Sequence, residues 1–182
     1  MIEKKWKTLS GLDINLKDTI EAELSIALEA GTPAELHIGS DSQQAGKDTE
    51  YVTVVVIHRE GKGGRVFFCR EKVPRIKDLR ERLWREVWRS TELAMELTAT
   101  PDIGYNRHEI VIAAVHIDAN LDKKHKSSKY VEELTGLVMG QGFKAMVKPA
   151  AWAASHAADH AVKHKNERKR PHADNKGRRR AA

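Results

Sequence analysis

The sequence has little cysteine and no long apolar run, and each shortage excludes a class of protein. Cys69 is the one cysteine among 182 residues, so no internal disulfide can form and a reducing compartment is expected. No apolar stretch approaches the roughly 20 residues that cross a bilayer. The first seven residues include several charged side chains, but no apolar core of a signal peptide follows them. We therefore expect a cytoplasmic protein with no membrane partner.

Positive charge is concentrated in one part of the chain. Residues 163–182 contain nine Lys and Arg against Glu167 and Asp174, a net charge of +7, so the rest carries −1 of the total +6. Such a segment suits a polyanion, most simply nucleic acid; the alternative is a solubilising, disordered end. We predict a folded domain over 1–165 and a disordered basic tail over 166–182. The tail residues expected to contact phosphates are Arg168, Lys169, Arg170, Arg178, Arg179 and Arg180.

The pattern of apolar residues predicts an α/β fold. Apolar side chains recur at helical spacing in some segments, and β-branched residues dominate others. A glycine-rich turn at 60–64 joins two of the predicted strands. The predicted helices span 12–30, 79–98, the segment from Ser127 or Ser128 to Gly140, and 150–165; the predicted strands span 35–40, 51–58, 65–73, 109–117 and 143–147. A three-strand antiparallel meander plus two parallel strands gives a mixed five-stranded sheet flanked by helices.

Two acids follow apolar runs that are predicted to be strands. Asp41 closes the run 36–40, and Asp118 closes the run 110–117. Open α/β sheets bind ligands at the carboxyl ends of their strands, where these two side chains are expected to meet. Two carboxylates would repel each other there unless a divalent cation lay between them. The alternative is structural, since Asp is common where a strand becomes a loop.

A third acid lies on the longest predicted helix. At 100° per residue, Glu86 falls within the apolar stripe, whereas Glu92 falls on the opposite side. An acid on a buried face costs free energy unless it is paired or binds a metal. Glu86 is therefore the better candidate for a ligand. The alternative is an ion pair with Arg82 or Arg89 on the same helix.

A fourth acid, Asp159, lies in the alanine-rich last helix. Ser155 and His156 precede it by four and three residues and share its face. The alternative is an exposed helical Asp. His156 and His160 are also spaced to share a zinc ion, and the segment is similar to the inverted His-x-x-Glu-His of some zinc proteases, with Asp in place of Glu. A zinc hydrolase that uses these two histidines is thus a further alternative.

The order of these four acids resembles the ribonuclease H-like fold, which carries Asp, Glu, Asp and Asp on a first strand, a long helix, a fourth strand and a late helix. More specifically, the chain resembles the YkuK-type ribonuclease H-like proteins over residues 10–165. The matching motifs lie at 37–43, 116–120, 128–130, 140–143, 148–149 and 154–159. The lysine-rich segment 122–126 departs from the pattern, because it replaces a glycine expected before Ser-Lys.

The resemblance implies a two-metal site. In ribonuclease H-like enzymes such carboxylates hold two Mg²⁺ or Mn²⁺ ions. Here Asp41 would bridge both ions, Glu86 and Asp118 would complete one site, and Asp159 the other. Residues expected to contact nucleic acid, besides the tail, are Ser42, Gln43, Lys123, Lys124, Lys126 and Lys129; His116, Ser155 and His156 are candidate auxiliary residues.

The implied function is a divalent-metal-dependent nuclease that hydrolyses phosphodiester bonds in RNA/DNA hybrids or structured DNA. One alternative is a catalytically inactive nucleic-acid-binding module, because a fold does not fix a function. Another is a Holliday-junction resolvase-type endonuclease, which would require a dimer. The sequence shows no heptad or symmetric patch from which an oligomeric state could be inferred.

Overall fold

The computed structural model describes residues 1–104 and 112–153. Its strands are β1 (Trp6–Thr8), β2 (Asp13–Ile14), β3 (Ala34–Ala45), β4 (Asp48–Arg59), β5 (Gly63–Pro74), β6 (Ile112–Asn120) and β7 (Ala145–Lys148). Its helices are α1 (Leu16–Glu29), α2 (Leu79–Ala99), α3 (Pro101–Gly104) and α4 (Val131–Gly140), and a 3-10 turn at Ser128–Tyr130 precedes α4.

All the described strands join one mixed sheet, in the order β2-β1-β5-β4-β3-β6-β7. β3, β4 and β5 form the predicted antiparallel meander. β6 runs parallel to β3, and β7 runs parallel to β6. The predicted α/β class and mixed sheet are therefore confirmed.

The described sheet has seven strands instead of the predicted five. The two additional strands, β1 and β2, have three and two residues and extend the sheet beyond β5. Strands this short show no alternation that a sequence pattern could detect. The predicted start of the first helix is also wrong: β2 occupies Asp13–Ile14, and the helix begins at Leu16 and not at residue 12. Asn15 caps it, since its side chain accepts a hydrogen bond from the Asp18 N–H.

Both faces of the central sheet are covered, which explains why β4 is an almost continuous β-branched run. Val55 and Ile57 lie in the larger apolar cluster, together with side chains of α2. Val54 and Val56 belong to a second cluster on the other face. Side chains alternate along β4, so this one strand contributes residues to both apolar clusters.

Helix α2 lies on the face that carries the larger cluster. Asp78 begins it by accepting a hydrogen bond from the Glu81 N–H at 2.7 Å. The helix packs against β3 and β6 through the predicted apolar stripe. The buried apolar residues of that stripe are Leu83, Val87, Leu93, Ala94 and Leu97. This packing fixes which side of the helix faces the sheet.

Several further predicted boundaries are wrong. β3 continues past Asp41 to Ala45, and β6 continues past Asp118 to Asn120, so both acids lie inside strands. Polar residues extend β3 because β4 pairs with its backbone along the whole length, and backbone pairing does not require apolar side chains. Pro101–Gly104 is a short helix where a loop was predicted. The predicted last helix lies outside the described residues from position 154, as does the basic tail.

Among the residues that the structure describes, no helix is long and apolar enough to cross a membrane.

Candidate functional site

Asp41 and Asp118 lie where two parallel strands stop pairing. The last parallel pair between β3 and β6 joins Gly39 to His116. Each acid follows two residues later on its own strand, so both lie at the same level of the sheet. Asp118 also falls in an irregular stretch of the pairing between β6 and β7, after Ile117. Both acids line one cleft beyond the end of this pairing.

Glu86 reaches the same space from α2. A cleft of about 260 Å³ is lined by Glu86 together with Asp41 and Asp118. Its other lining residues are Ser42, Leu79, Arg82, Leu83, His125, Lys126 and Ser127. The structure therefore brings together three of the four acids singled out in the sequence. Elements distant in the chain supply them: β3, α2 and β6.

Glu86 is buried among negative charges. Only 4% of the residue is exposed. Burial raises the pKa of Glu86 well above its usual range, and the nearby carboxylate of Asp41 raises it further. A hydrogen bond from Ser42 opposes the shift, Asp118 adds to it, and Arg82 opposes it. Glu92 is partly exposed and does not line the cleft, so Glu86 is the acid of α2 that faces this site.

Two cationic side chains that sequence analysis did not propose as site residues lie close to the acids. Lys148, the last residue of β7, forms an ion pair with Oδ1 of Asp118. Arg82 donates from Nη1 to Oγ of Ser42 at 3.4 Å and lines the cleft one turn before Glu86. The signal for Lys148 was its position directly after the last predicted strand, 143–147. Both side chains partly offset the negative charge of the cleft.

A chain of hydroxyl groups links the sheet to α2 beneath the cleft. Oγ of Ser90 lies 2.9 Å from Oγ of Ser40 and 3.1 Å from the carbonyl oxygen of Glu86. Oγ of Ser40 lies 2.9 Å from Oγ1 of Thr53. All three hydroxyl side chains are buried, so these contacts are made without competition from water. They join β4, β3 and α2 at the level of Glu86.

The described residues that were predicted to contact nucleic acid differ in whether they line the cleft, the cavity beside it or neither. Ser42 and Lys126 line the cleft. Lys123 and Lys129 line an adjoining cavity of about 520 Å³, together with Lys126. Lys124 lines neither, although it is exposed like the other three lysines. Gln43 donates from Nε2 to Glu50 at 3.2 Å and does not line the cleft.

His116, a candidate auxiliary residue, does not lie among the acids. It is 1% exposed, and its Nε2 lies 3.0 Å from Nδ1 of His37. The ring of Trp152 packs 5.2 Å from the His116 ring. Burial lowers the pKa of His116 to about 4, so its ring is neutral near pH 7. The structure places this histidine in a separate, buried cluster that sequence analysis did not identify.

The remaining predicted site residues lie outside the described part of the chain. They are Asp159, Ser155, His156 and His160, with the tail residues Arg168, Lys169, Arg170, Arg178, Arg179 and Arg180.

The donor chemistry of the cleft fits a divalent metal ion. Asp41, Glu86 and Asp118 offer carboxylate oxygens, the hard ligands that Mg²⁺ and Mn²⁺ prefer. Burial and the neighbouring carboxylates of Asp41 and Asp118 both raise the pKa of Glu86, so its ionised form is disfavoured in the cleft. A cation between the three acids would favour that ionised form. The residues present are therefore suited to hold such an ion.

Comparison with known proteins identifies the family. A family model described as "Ribonuclease H-like" matches residues 16–163. The chain belongs to the ribonuclease H-like family. Within it, the chain is 30% identical over 139 residues to the protein YkuK of Bacillus subtilis (strain 168), which is described as uncharacterized. The alignment covers 70% of this chain and 78% of YkuK, so this ribonuclease H-like protein is of the YkuK type.

Two solved structures are also similar to this ribonuclease H-like protein. One is the N-terminal RNase H domain of rv2228c from Mycobacterium tuberculosis, with 14% identity and a TM-score of 0.36; the match covers 75% of this chain and 99% of that one. The other is RNase H1 from Halobacterium salinarum NRC-1, with 15% identity and a TM-score of 0.37; the match covers 71% and 98%. TM-scores this low establish no correspondence between residues, and membership of the family stands on the sequence match.

Proposed function

We propose that this ribonuclease H-like protein is a divalent-metal-dependent nuclease that hydrolyses phosphodiester bonds in RNA/DNA hybrids or structured DNA. The observation that carries the proposal is the convergence of Asp41, Glu86 and Asp118 on one cleft. Three acids from three separate elements bring repulsion and, for Glu86, a desolvation cost. A bound cation offsets both, which supports a metal-binding role over a structural one.

In this proposal the metal ions are Mg²⁺ or Mn²⁺. Asp41 would contact both ions of a pair, Glu86 and Asp118 would contact one, and Asp159 would be the fourth ligand. Such a pair supplies the positive charge that activates water and stabilises the leaving 3′ oxygen. Burial raises the pKa of Glu86, and its carboxyl group must be ionised to act as a ligand, so metal binding at this residue is expected to depend on pH.

The basic side chains at the cleft would position the nucleic acid. Lys126 and Arg82 line the cleft, and Lys123 and Lys129 line the cavity beside it. Together they form a positive edge next to a negative centre, which suits a phosphate backbone whose scissile group enters the metal site. Contacts of this kind fix the position of a strand without reading its sequence.

The test is a panel of labelled substrates: RNA/DNA hybrid, duplex DNA, single strands and a four-way junction, each with Mg²⁺ and with Mn²⁺. We expect cleavage that EDTA abolishes and that Asp41→Asn and Asp118→Asn reduce by at least about 100-fold, because each loses a ligand charge. Asp13→Asn is the control, since Asp13 is exposed on β2 and pairs only with Lys7 among the described residues. Cleavage in EDTA, or a fully active Asp41→Asn protein, would contradict the proposal.

One observation favours a second candidate, an inactive nucleic-acid-binding module. Lys148 already neutralises one oxygen of Asp118 and could replace a metal ion at that position. This candidate predicts binding across the panel, no cleavage with either metal, and equal binding by wild-type and Asp41→Asn proteins.

A further inference from the structure

Three side chains that can bind a metal lie on one face of the sheet, away from the acidic cleft. Glu35 of β3 and His58 of β4 are direct partners across the antiparallel pair. His37 follows Glu35 by two residues on the same strand. Side chains alternate along a strand, so residues i and i+2 share a face with the partner of i. The backbone therefore sets the grouping of these three side chains.

The distances between their ligand atoms approach those of a coordination sphere. Nε2 of His37 lies 3.4 Å from Oε2 of Glu35, and Nδ1 of His58 lies 3.9 Å from the same oxygen. One ligand atom from each residue lies within 4.8 Å of the other two. In a tetrahedral zinc site with bonds of about 2.0–2.1 Å, neighbouring ligand atoms are about 3.4 Å apart. Small side-chain movements would close the remaining difference.

We propose that Glu35, His37 and His58 form a zinc site. Two imidazole nitrogens and one carboxylate are three protein ligands, which leaves a fourth position for water or another ligand. Imidazole favours Zn²⁺ over Mg²⁺, so the site differs in chemistry from the acidic cleft. It differs in place as well, because the six residue steps along β3 from Glu35 to Asp41 span about 20 Å. The inference is independent of the proposed nuclease function.

The exposure of the three residues suits binding of an ion from solvent. The His37 side chain is 9% exposed and the Trp152 ring packs 4.8 Å from it, so this ligand is held in place. Glu35 and His58 are 57% and 43% exposed, which leaves both free to adjust around an ion. One buried, fixed ligand and two accessible ligands give the ion an entry path. Lys144 is the nearby positive charge that opposes binding.

The hydrogen bonds behind His37 give the site a link to the rest of the sheet. The Ala153 N–H donates to Nδ1 of His116 at 3.3 Å, so His116 carries its proton on Nε2 and donates it to Nδ1 of His37. His37 then carries its proton on Nε2, facing Glu35. This order of donors describes the protein without zinc.

Binding of zinc at Nε2 of His37 reverses the direction of the hydrogen bond between His37 and His116. The proton of His37 must then lie on Nδ1 and be donated to Nε2 of His116, whose own proton moves to Nδ1. The number of protons on the two rings does not change. The Ala153 N–H then loses its hydrogen-bond acceptor, so zinc binding changes the environment of the backbone that follows β7.

The experiment is a zinc titration of the full-length, metal-free protein in competition with a chromophoric indicator. We expect one tight equivalent in the wild type. His58→Ala and Glu35→Gln should each weaken it by at least about 100-fold, beyond the 10- to 100-fold typical of residues that only support a ligand. Both residues are substantially exposed, so neither change threatens folding. Zinc should also shift the backbone ¹⁵N–H resonance of Ala153 and change the tautomers of His37 and His116 in ¹⁵N spectra.

A His156→Ala/His160→Ala double variant is the matched control, because those histidines have zinc-ligand spacing of their own. It should keep the tight equivalent, as should Asp41→Asn. The proposal is overturned if the wild type binds no zinc tightly, if His58→Ala and Glu35→Gln bind it unchanged, or if the double variant loses it. A protein that cleaves no nucleic acid but passes this test would refute only the proposed function.

Discussion

Lys148 forms an ion pair with Asp118 across the irregular end of the β6–β7 pairing. Oδ1 of Asp118 accepts no other hydrogen bond from the described residues. The ammonium group therefore occupies a place that a divalent cation would also favour. Metal binding at Asp118 must displace Lys148 or share the carboxylate with it, and the two cations compete.

Removing that competitor should strengthen metal binding. Lys148→Met keeps most of the length of the side chain and removes its charge. We expect Mg²⁺ to bind about three- to fivefold more tightly, since a partly exposed ion pair contributes up to about 1 kcal/mol. Calorimetric titration of the full-length protein measures the affinity. Lys62→Met is the control, because Lys62 is exposed in the turn between β4 and β5 and does not line the cleft. Weaker Mg²⁺ binding by Lys148→Met would show that Lys148 orients Asp118 instead of competing for it.

Substitutions of Glu86 and Glu92, two of the acids of α2, should differ sharply in their effect on cleavage. Glu86 lies in the cleft, whereas Glu92 lies almost two turns further along on a partly exposed side. Glu86→Gln should lower kcat by at least about 100-fold, because a neutral amide is a weaker metal ligand. Glu92→Gln should change it less than twofold. Steady-state cleavage at saturating Mg²⁺ compares the pair. Equal activities would remove Glu86 from the proposed metal site.

The raised pKa of Glu86 predicts how the stability of the metal-free protein depends on pH. The folded state holds a proton on Glu86 at pH values where the unfolded chain has lost it, so the free energy of unfolding should fall as pH rises above about 4.5. Each unit of raised pKa corresponds to about 1.4 kcal/mol. Glu86→Gln should remove this loss and be the more stable protein at pH 8. Urea unfolding in EDTA at pH 5 and pH 8 measures both; equal pH dependence in the two proteins would contradict the prediction.

The basic tail should contribute to the affinity for nucleic acid and not to its hydrolysis. Deleting residues 166–182 should weaken binding and flatten its salt dependence, since each lost phosphate contact removes about 0.9 from the slope of log affinity on log salt. Cleavage at saturating substrate should persist, because all four proposed ligands precede the tail. A salt titration of the full-length and truncated proteins measures the slope. An unchanged slope would assign phosphate binding to the lysines of segment 123–129 alone.

Long-period patterns in the sequence predicted the larger elements well. The apolar residues of α2 recur over 21 residues, which is enough to fix both the helix and the face that Glu86 occupies. The β-branched run at 51–58 likewise predicted a strand, and the structure places that strand, β4, in the middle of the sheet. By contrast, β1 and β2 are too short to carry a pattern, and the polar end of β3 is a strand only because β4 pairs with it.

Contacts that depend on the register between strands were the part that the sequence could not reveal. Glu35 and His37 stand two apart on one strand, but their meeting with His58 depends on the register of β3 against β4. The pair of Lys148 and Asp118 depends in the same way on how β7 aligns with β6. Three of the predicted acids do meet in one cleft, while the place of Asp159 in it stays a prediction.

The hydroxyl chain of Ser90, Ser40 and Thr53 has a consequence for how the cleft keeps its shape. Apolar contacts tolerate small sliding between a helix and a sheet, whereas hydrogen bonds are directional and allow little. Ser90 also contacts the carbonyl oxygen of Glu86. These hydrogen bonds therefore fix both the distance of α2 from the sheet and its rotation about its own axis. A ribonuclease H-like domain built this way can exchange many of the apolar residues between α2 and the sheet and still hold Glu86 at the same position in the cleft.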